Sequence, residues 1–331
     1  LTGVPTVGLD DSFFAIGGHS LLAMRLIARI RQETNLSLPL RALFENPTPE
    51  ALALQLGNLL LETDPKVPNN LVLLRAGEAG LPPLFCVHAA SGISTVYRDL
   101  ALSLEGNFPV WGIQAHGFEI GESPLTSIKE MAVSYAKSIN EVIGKGSCRL
   151  LGWSVGGLLA HAVAYELESF GAIVEDLILL DARTQLIEGL NLQGDESDEE
   201  VIFEHILSEA LELEDKEVAT FLAGADNKLA ALQRLMIDQG VVSSDVPLEV
   251  INKISHQMIL YPQRLLSYKM GVICAPITSI RAALEVVPEN EDVFDWTSNT
   301  SGGVKEYLLR AKHNEMVEPK QSAQIAKLLK F

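Results

Sequence analysis

Ser154 stands in L-L-G-W-S-V-G-G (150–157), between an apolar run, C-R-L-L, and a helical run, L-L-A-H-A-V-A-Y-E-L. A serine on a tight strand-to-helix turn of the form G-x-S-x-G is lifted above a sheet edge, where its hydroxyl can attack an acyl carbonyl. Gly152 and Gly156 leave room for the turn, Gly157 keeps the helix close to the sheet, and the helix N-terminus favours negative charge nearby. A hydroxyl alone is a poor nucleophile, so a base and an orienting acid must follow it in the chain. His313, in Y-L-L-R-A-K-H-N-E-M, follows the last apolar run and precedes a C-terminal helical pattern, which suits the base. His19, His88, His116, His161, His205 and His256 lack that combination of order and position. For the acid, Asp181 ends the apolar run D-L-I-L-L-D, and Glu285, Asp292 and Asp295 follow a later run. Asp181 is the better placed, because a residue that directly ends a buried strand is rigidly held. Two main-chain N–H groups must face the oxygen of a tetrahedral intermediate. Val155, after the nucleophile, supplies one; the small-residue loop H-A-A-S-G (88–92) supplies the other, from Ala90.

A second serine, Ser20, lies in D-S-F-F-A-I-G-G-H-S-L-L (11–22) and opens a run whose apolar residues, Leu21, Leu22, Met24, Leu26, Ile27 and Ile30, fit one face of a helix. As a helix N-cap it would be ordinary. The string around it is not explained by capping.

The elements that must position these residues fall into two patterns. Residues 1–62 read as helices with short loops, one of them starting at T-P-E with Thr48 as cap and Pro49 in the first turn. Residues 63–70, rich in proline and polar residues, read as a linker. Residues 71–331 alternate apolar runs with amphipathic ones. Strands are expected at 71–75, 82–88, 110–115, 148–153, 176–181, 276–284 and 305–311. Helices are expected at 93–104, 127–143, 155–170 and 319–330, the second opened by Ser127 and Glu130 at capping-box spacing. Fully apolar strands alternating with helices predict an α/β architecture with a mostly parallel sheet covered on both faces. The stretch from about 185 to 261 breaks the alternation, is mainly helical by pattern, and falls where it would cover the ligand-binding end of the sheet as a lid.

Composition narrows the function. The net charge of −18 argues against nucleic acid, and twelve acidic residues against one basic residue, Lys216, lie between Glu188 and Glu217, read as a solvated face. Nothing approaches the roughly 20 apolar residues of a membrane span, and no signal pattern opens the chain, which predicts a cytoplasmic protein. Cys86, Cys148 and Cys274 lie in or beside apolar runs without metal-type spacing and read as small core residues.

The string around Ser20 resembles the phosphopantetheine attachment motif of the peptidyl carrier domains of nonribosomal peptide synthetases. F-C-V-H-A-A-S-G, L-L-G-W-S-V-G-G, L-I-L-L-D and A-K-H-N-E-M together resemble the type I thioesterase domains that end such synthetases, which have the α/β-hydrolase fold. The resemblance implies a small all-α carrier bundle (1–62) before a thioesterase (71–331), with 4'-phosphopantetheine on Ser20. It likewise makes Ser154 the nucleophile, Asp181 the acid, His313 the base, and Ala90 and Val155 the oxyanion donors. It implies an acyl or peptidyl substrate bound to the carrier, a phosphopantetheinyl transferase, and upstream condensation and adenylation domains as partners. T-G-V-P-T-V-G-L-D-D reads as the loop after a carrier's first helix, so that helix is expected upstream. Trp153, where relatives often carry Tyr, is expected to leave the chemistry unchanged. A free-standing carboxylesterase or lipase would share the elbow and lid but has no use for residues 1–62; a non-catalytic docking module would leave Ser154 unreactive.

Overall fold

The computed structural model describes residues 4, 6–18, 20–34, 38, 40–59, 68–78, 80–118, 122–184, 201–204, 206–208, 215–223, 227–238, 248–266, 268–284 and 294–329. Among the described residues, seven strands form one sheet in the order β1-β3-β2-β4-β5-β6-β7. They are β1 (Leu71–Arg75), β2 (Leu84–Val87), β3 (Val110–Ile113), β4 (Ser147–Trp153), β5 (Ile173–Leu180), β6 (Ile277–Ala282) and β7 (Val304–Leu309). Only β1 runs antiparallel, against β3 at the sheet edge. The central strands are apolar throughout because both faces are covered: β2 is buried at all four positions.

On one face lie α5 (Ile128–Ile143) and α6 (Val155–Ser169), sharing a core that contains Phe85, Tyr135, Leu150, Leu159 and Trp296. On the other, α4 (Arg98–Ser103) and the C-terminal helix α10 (Pro319–Leu328) pack with Tyr97, Leu151, Ile280 and Ile325. The predicted helix at 93–104 divides into a 3-10 turn, Thr95–Tyr97, and α4. The Ser127 hydroxyl caps α5 by accepting from the Glu130 N–H at 3.1 Å. The Glu130 carboxylate turns to the N–H and hydroxyl of Thr126, one residue before the predicted partner. One cysteine departs from expectation. Ile273 and Ala275 point inward, so the residue between them in this extended segment, Cys274, is exposed, whereas Cys86 and Cys148 are buried.

Between β5 and β6 the described part of the insertion is helical: 201–204 and 206–208, α7 (Asp215–Ala223), α8 (Lys228–Asp238) and α9 (Leu248–Leu266), which runs past the predicted end of the lid. Most of the acidic stretch lies outside the described residues.

The N-terminal unit contributes α1 (Ser20–Thr34), α2 (Leu40–Glu45) and α3 (Pro49–Leu59), with the Thr48 hydroxyl accepting from the Ala51 N–H at the start of α3. Its core, built on Phe13, Ala23, Met24, Leu43 and Leu52, is continuous with Phe203, Leu207, Leu232 and Ile254 of the insertion and with Ile93 of the sheet unit. The two phenylalanines of D-S-F-F divide the labour. Phe13 is buried, and its main-chain N–H donates to Pro47 O at 2.7 Å. Phe14 packs on Phe44 and takes the Arg98 guanidinium 4.2 Å from its ring centroid. Half-burial against this contact lowers the Arg98 pKa. A partly desolvated cation–π pair contributes about 1 kcal/mol. Arg98→Ala should therefore speed hydrogen exchange of the 98–103 and 40–45 amides by roughly 5-fold without unfolding the sheet core, as mass-resolved exchange would measure.

Candidate active site

The site is built by close main-chain contact at the carboxyl edge of the sheet. β4 ends at Trp153, Ser154 takes φ 58° and ψ −137°, and α6 begins at the next residue. A non-glycine residue at positive φ is strained, and the surrounding contacts must hold it there. The neighbouring glycines explain how. A Cβ on Gly152 would lie 2.2 Å from Gly156 O, one on Gly156 would lie 2.6 Å from His88 O, and one on Gly157 would lie 2.2 Å from the Ala182 Cβ. The turn is thus locked between the ends of β2 and β5, and Ser154 N–H donates to Leu180 O at 3.0 Å.

Asp181, directly after β5, also has positive φ, 45°, and is 2% exposed. One carboxylate oxygen accepts from the Ala282 N–H at 2.8 Å, and the other accepts from His313 Nδ1 at 2.7 Å. A carboxylate can only accept, so Nδ1 carries the hydrogen and Nε2 is left as the basic nitrogen when the ring is neutral. Trp153 closes the circuit: its indole N–H donates to His313 O at 3.1 Å and its ring lies 5.2 Å from the imidazole. The residue beside Ser154 thus holds His313, a contact that the sequence analysis does not foresee. A large side chain with a polar donor, next to the serine, was the available signal. Asp295, an alternative acid, instead accepts from the N–H and hydroxyl of Thr297. Glu285 and Asp292 lie outside the described residues, as do His19 and His205.

Beneath the loop that carries Ala90 lies a buried polar cluster that pattern reading also missed. His88 is fully buried, with Nδ1 2.8 Å from Ala89 O and Nε2 2.8 Å from the Tyr135 hydroxyl. Burial pushes its pKa down to about 3, the Arg264 and His116 charges acting in the same direction against the Ala89 hydrogen bond. Burial likewise raises the Tyr261 pKa to about 12. Tyr97 ties two strand ends together: its hydroxyl donates to Val87 O at 2.7 Å and accepts from the Trp153 N–H at 2.9 Å. Ala90 itself is half-buried, and its N–H has no acceptor among the described residues. The Val155 N–H belongs to the first turn of α6, where helical N–H groups have no partner within the helix.

Ser20 opens α1, whose first turn carries no acidic residue, and it follows Gly17 at φ 95° and Gly18 packed on Phe13. A first helical turn free of carboxylates suits a phosphodiester on that serine.

Two stability measurements test these packing arguments. In urea titrations Gly152→Ala should lose about 3 kcal/mol or more, because the methyl meets main chain, whereas Gly57→Ala, in α3 with nothing within 4 Å, should gain up to about 1 kcal/mol. His88 adds a pH term. The unfolded chain takes up its proton near pH 6.5 and the folded one only near pH 3, so stability is present above pH 6.5 and falls as pH drops through that window. The slope is up to about 1.4 kcal/mol per pH unit, and the difference between wild type and His88→Gln isolates it.

Comparison with known proteins agrees with this geometry. The family described as Thioesterase domain matches residues 82–330, and that described as Phosphopantetheine attachment site matches residues 1–56. A dimodular nonribosomal peptide synthase of Bacillus subtilis (strain 168) is 31% identical over 331 residues, covering 98% of this chain and 13% of its own length. The chain therefore spans a small part of that relative. Among solved structures, the four-domain nonribosomal peptide synthetase AB3403 superposes with a TM-score of 0.67 at 21% identity over 99% of this chain and 25% of its own. The Vlm2 thioesterase domain, solved with a bound dodecadepsipeptide, superposes with a TM-score of 0.59 at 24% identity over 78% of this chain and 96% of its own. These two likenesses show the shared fold. No helix among the described residues is long and apolar enough to cross a membrane. The chain belongs to the thioesterase domain family, whose members hydrolyse thioesters, and carries before that domain a unit of the family that bears covalently attached phosphopantetheine.

Proposed function

We propose that this chain is the terminal carrier and thioesterase of a nonribosomal peptide synthetase, with residues 1–62 as carrier, 63–70 as linker and 71–331 as a serine thioesterase. The observation that carries the reading is the Asp181–His313 hydrogen bond of 2.7 Å, with His313 O held by Trp153, the residue before a strained Ser154, in a chain that also has an attachment unit. Ser20 is the attachment residue. The group it carries supplies a thiol that holds the acyl or peptidyl chain as a thioester.

The chain's own residues divide the reaction into two similar halves. Ser154 Oγ attacks the acyl carbonyl while His313 Nε2 takes its proton, and Asp181 stabilises the imidazolium and fixes its tautomer. Negative charge on the carbonyl oxygen meets the N–H groups of Ala90 and Val155. His313 then gives the proton to the leaving group, and an acyl ester on Ser154 remains. In the second half His313 activates water, giving a free acid, or a hydroxyl or amine of the acyl chain, giving a ring. The helical insertion lies where it would control water access. Covalent linkage of carrier to thioesterase raises the local concentration of substrate without tight binding.

In this reading the partners are upstream condensation and adenylation domains, a phosphopantetheinyl transferase and the carrier-bound chain, acting in the cytoplasm, which suits three free cysteines. Intact-protein mass spectrometry after incubation with coenzyme A and a phosphopantetheinyl transferase should show one added arm on wild type and none on Ser20→Ala. With an acyl-loaded carrier, Ser154→Ala should release no product above background, and Asp181→Asn should lose about 10⁴-fold in kcat. Release by Ser154→Ala at the wild-type rate would rule out the nucleophile assignment. Full activity on simple esters after removal of residues 1–62, with no loading of Ser20, would favour a free-standing esterase.

A further inference from the structure

The oxyanion donor assigned to Ala90 depends on the peptide that precedes it. All peptide bonds described here are free of the cis form, so the Ala89 C=O and the Ala90 N–H are antiparallel and move as one plane. Whatever holds that carbonyl aims that N–H. Two rings hold it. His88 Nδ1 lies 2.8 Å from Ala89 O, and because a carbonyl only accepts, Nδ1 carries the hydrogen and donates. Nε2 is then a lone pair, accepting from the Tyr135 hydroxyl at 2.8 Å. The Tyr261 hydroxyl lies 3.4 Å from Ala89 O and 3.5 Å from Nδ1; with Nδ1 already protonated, it donates to the carbonyl.

Tyr261 and His88 are fully buried, and Tyr261 belongs to α9, the long helix of the insertion. The same helix is fastened to the sheet unit on either side of Tyr261. Gln257 donates to His116 O at 2.6 Å, and the buried Arg264 guanidinium donates to Leu125 O at 2.6 and 3.0 Å. On the opposite side of the loop, His88 O presses on Gly156 of the serine turn, so the loop is clamped between the serine turn and the insertion. The Ala90 N–H, pointing away from the clamp, is left unspent.

We propose that His88 and Tyr261 are positioning residues for the oxyanion hole: together they fix the Ala89 carbonyl and so aim the Ala90 N–H, and through Tyr261 the insertion's helix α9 sets the competence of the catalytic loop. This rests on the reading of Ser154 as the acylated nucleophile and adds to it residues that touch no substrate. It also gives the insertion a duty besides covering the site, since a displacement of α9 that withdraws the Tyr261 hydroxyl would loosen the oxyanion donor.

The test uses the full chain and the octanoyl thioester of N-acetylcysteamine, a small substrate that needs no carrier docking. Acylation of Ser154 is followed by rapid-quench intact mass and by the rate of fluorophosphonate labelling. Tyr261→Phe removes only the hydroxyl and should lower both the acylation kcat and the labelling rate by about 10-fold with KM within twofold; His88→Gln should lose more, up to about 100-fold. Ser255→Ala removes a buried hydroxyl from the same helix, one that donates to Ile251 O, and should lose stability without loss of kcat. Wild type that acylates at Ser154 together with a folded Tyr261→Phe at the wild-type rate overturns the clamp alone. Equal kcat losses in Tyr261→Phe and Ser255→Ala also overturn it, since they would mark general loosening of the helix. Wild type that never acylates at Ser154 overturns the reading of the site and the clamp with it. If His88→Gln fails to fold, Tyr261→Phe carries the test.

Discussion

Three main-chain segments meet in this protein at distances that leave no space for a methyl group. Gly152 faces Gly156 O, Gly156 faces His88 O, and Gly157 faces the Ala182 methyl. The contacts bring the ends of β2, β4 and β5 together, and each of those ends carries one part of the proposed site: the loop with Ala90, Ser154 and Asp181. The strain at Ser154 and Asp181, both at positive φ, is held by the same crowding. Strain of this kind costs about 1–3 kcal/mol per residue and persists only where surrounding packing overdetermines it. Here the buried strands supply that packing, because every residue of β2 and the last four of β5 are buried.

A second level of order is polar. Arg264 is fully buried and directs its guanidinium to Leu125 O, to Gln257 and over the Tyr261 ring. Burying a cation costs several kcal/mol unless its hydrogen bonds are made, so such a group fixes geometry more than it adds stability. What it fixes is the register of α9 against the loop at Ala89. A hydrophobic contact would tolerate a slide of the helix along its axis; a guanidinium aimed at one carbonyl does not. The apolar half of the interface therefore provides the attraction, and the polar cluster decides where the helix stops.

How much of this was legible in the sequence depends on the range over which each signal acts. The elbow, Asp181 and His313 could be read because each directly ends or follows an apolar run, so that strand order alone delivers it to the carboxyl edge. The α/β class followed from the same runs. The clamp could not be read, since Tyr261 lies 173 residues from His88 and nothing in either local string marks the other. Cys274 was misplaced because an apolar neighbourhood does not say which side of an extended segment faces inward; the burial of Ile273 and Ala275 decides it. Trp153 was passed over for a related reason. Its place beside the serine was plain, but its donation to His313 O depends on the loop after β7, 160 residues on. The division between Phe13 and Phe14 was equally hidden, because two adjacent aromatics can both belong to one core.

That division bears on how the carrier meets the thioesterase. Phe13 is committed to the helical unit's own core, whereas Phe14 reaches out to Arg98 and Phe44. The Phe14–Arg98 pair contributes about 1 kcal/mol, and the apolar packing of the helical unit against the insertion and Ile93 adds to it. Covalent linkage changes the arithmetic, because a tethered partner is present at an effective concentration in the millimolar range. The cation–π pair then helps to select one docked arrangement, because it demands one placement of Phe14 over Arg98. In the proposed reading the carrier must also leave to receive its chain from upstream domains, so the apolar packing it shares with the insertion must open in each cycle. Phe13 stays inside the carrier while half-buried Phe14 meets a guanidinium, and the continuous apolar core sets the carrier beside Ile93 and the helices of the insertion.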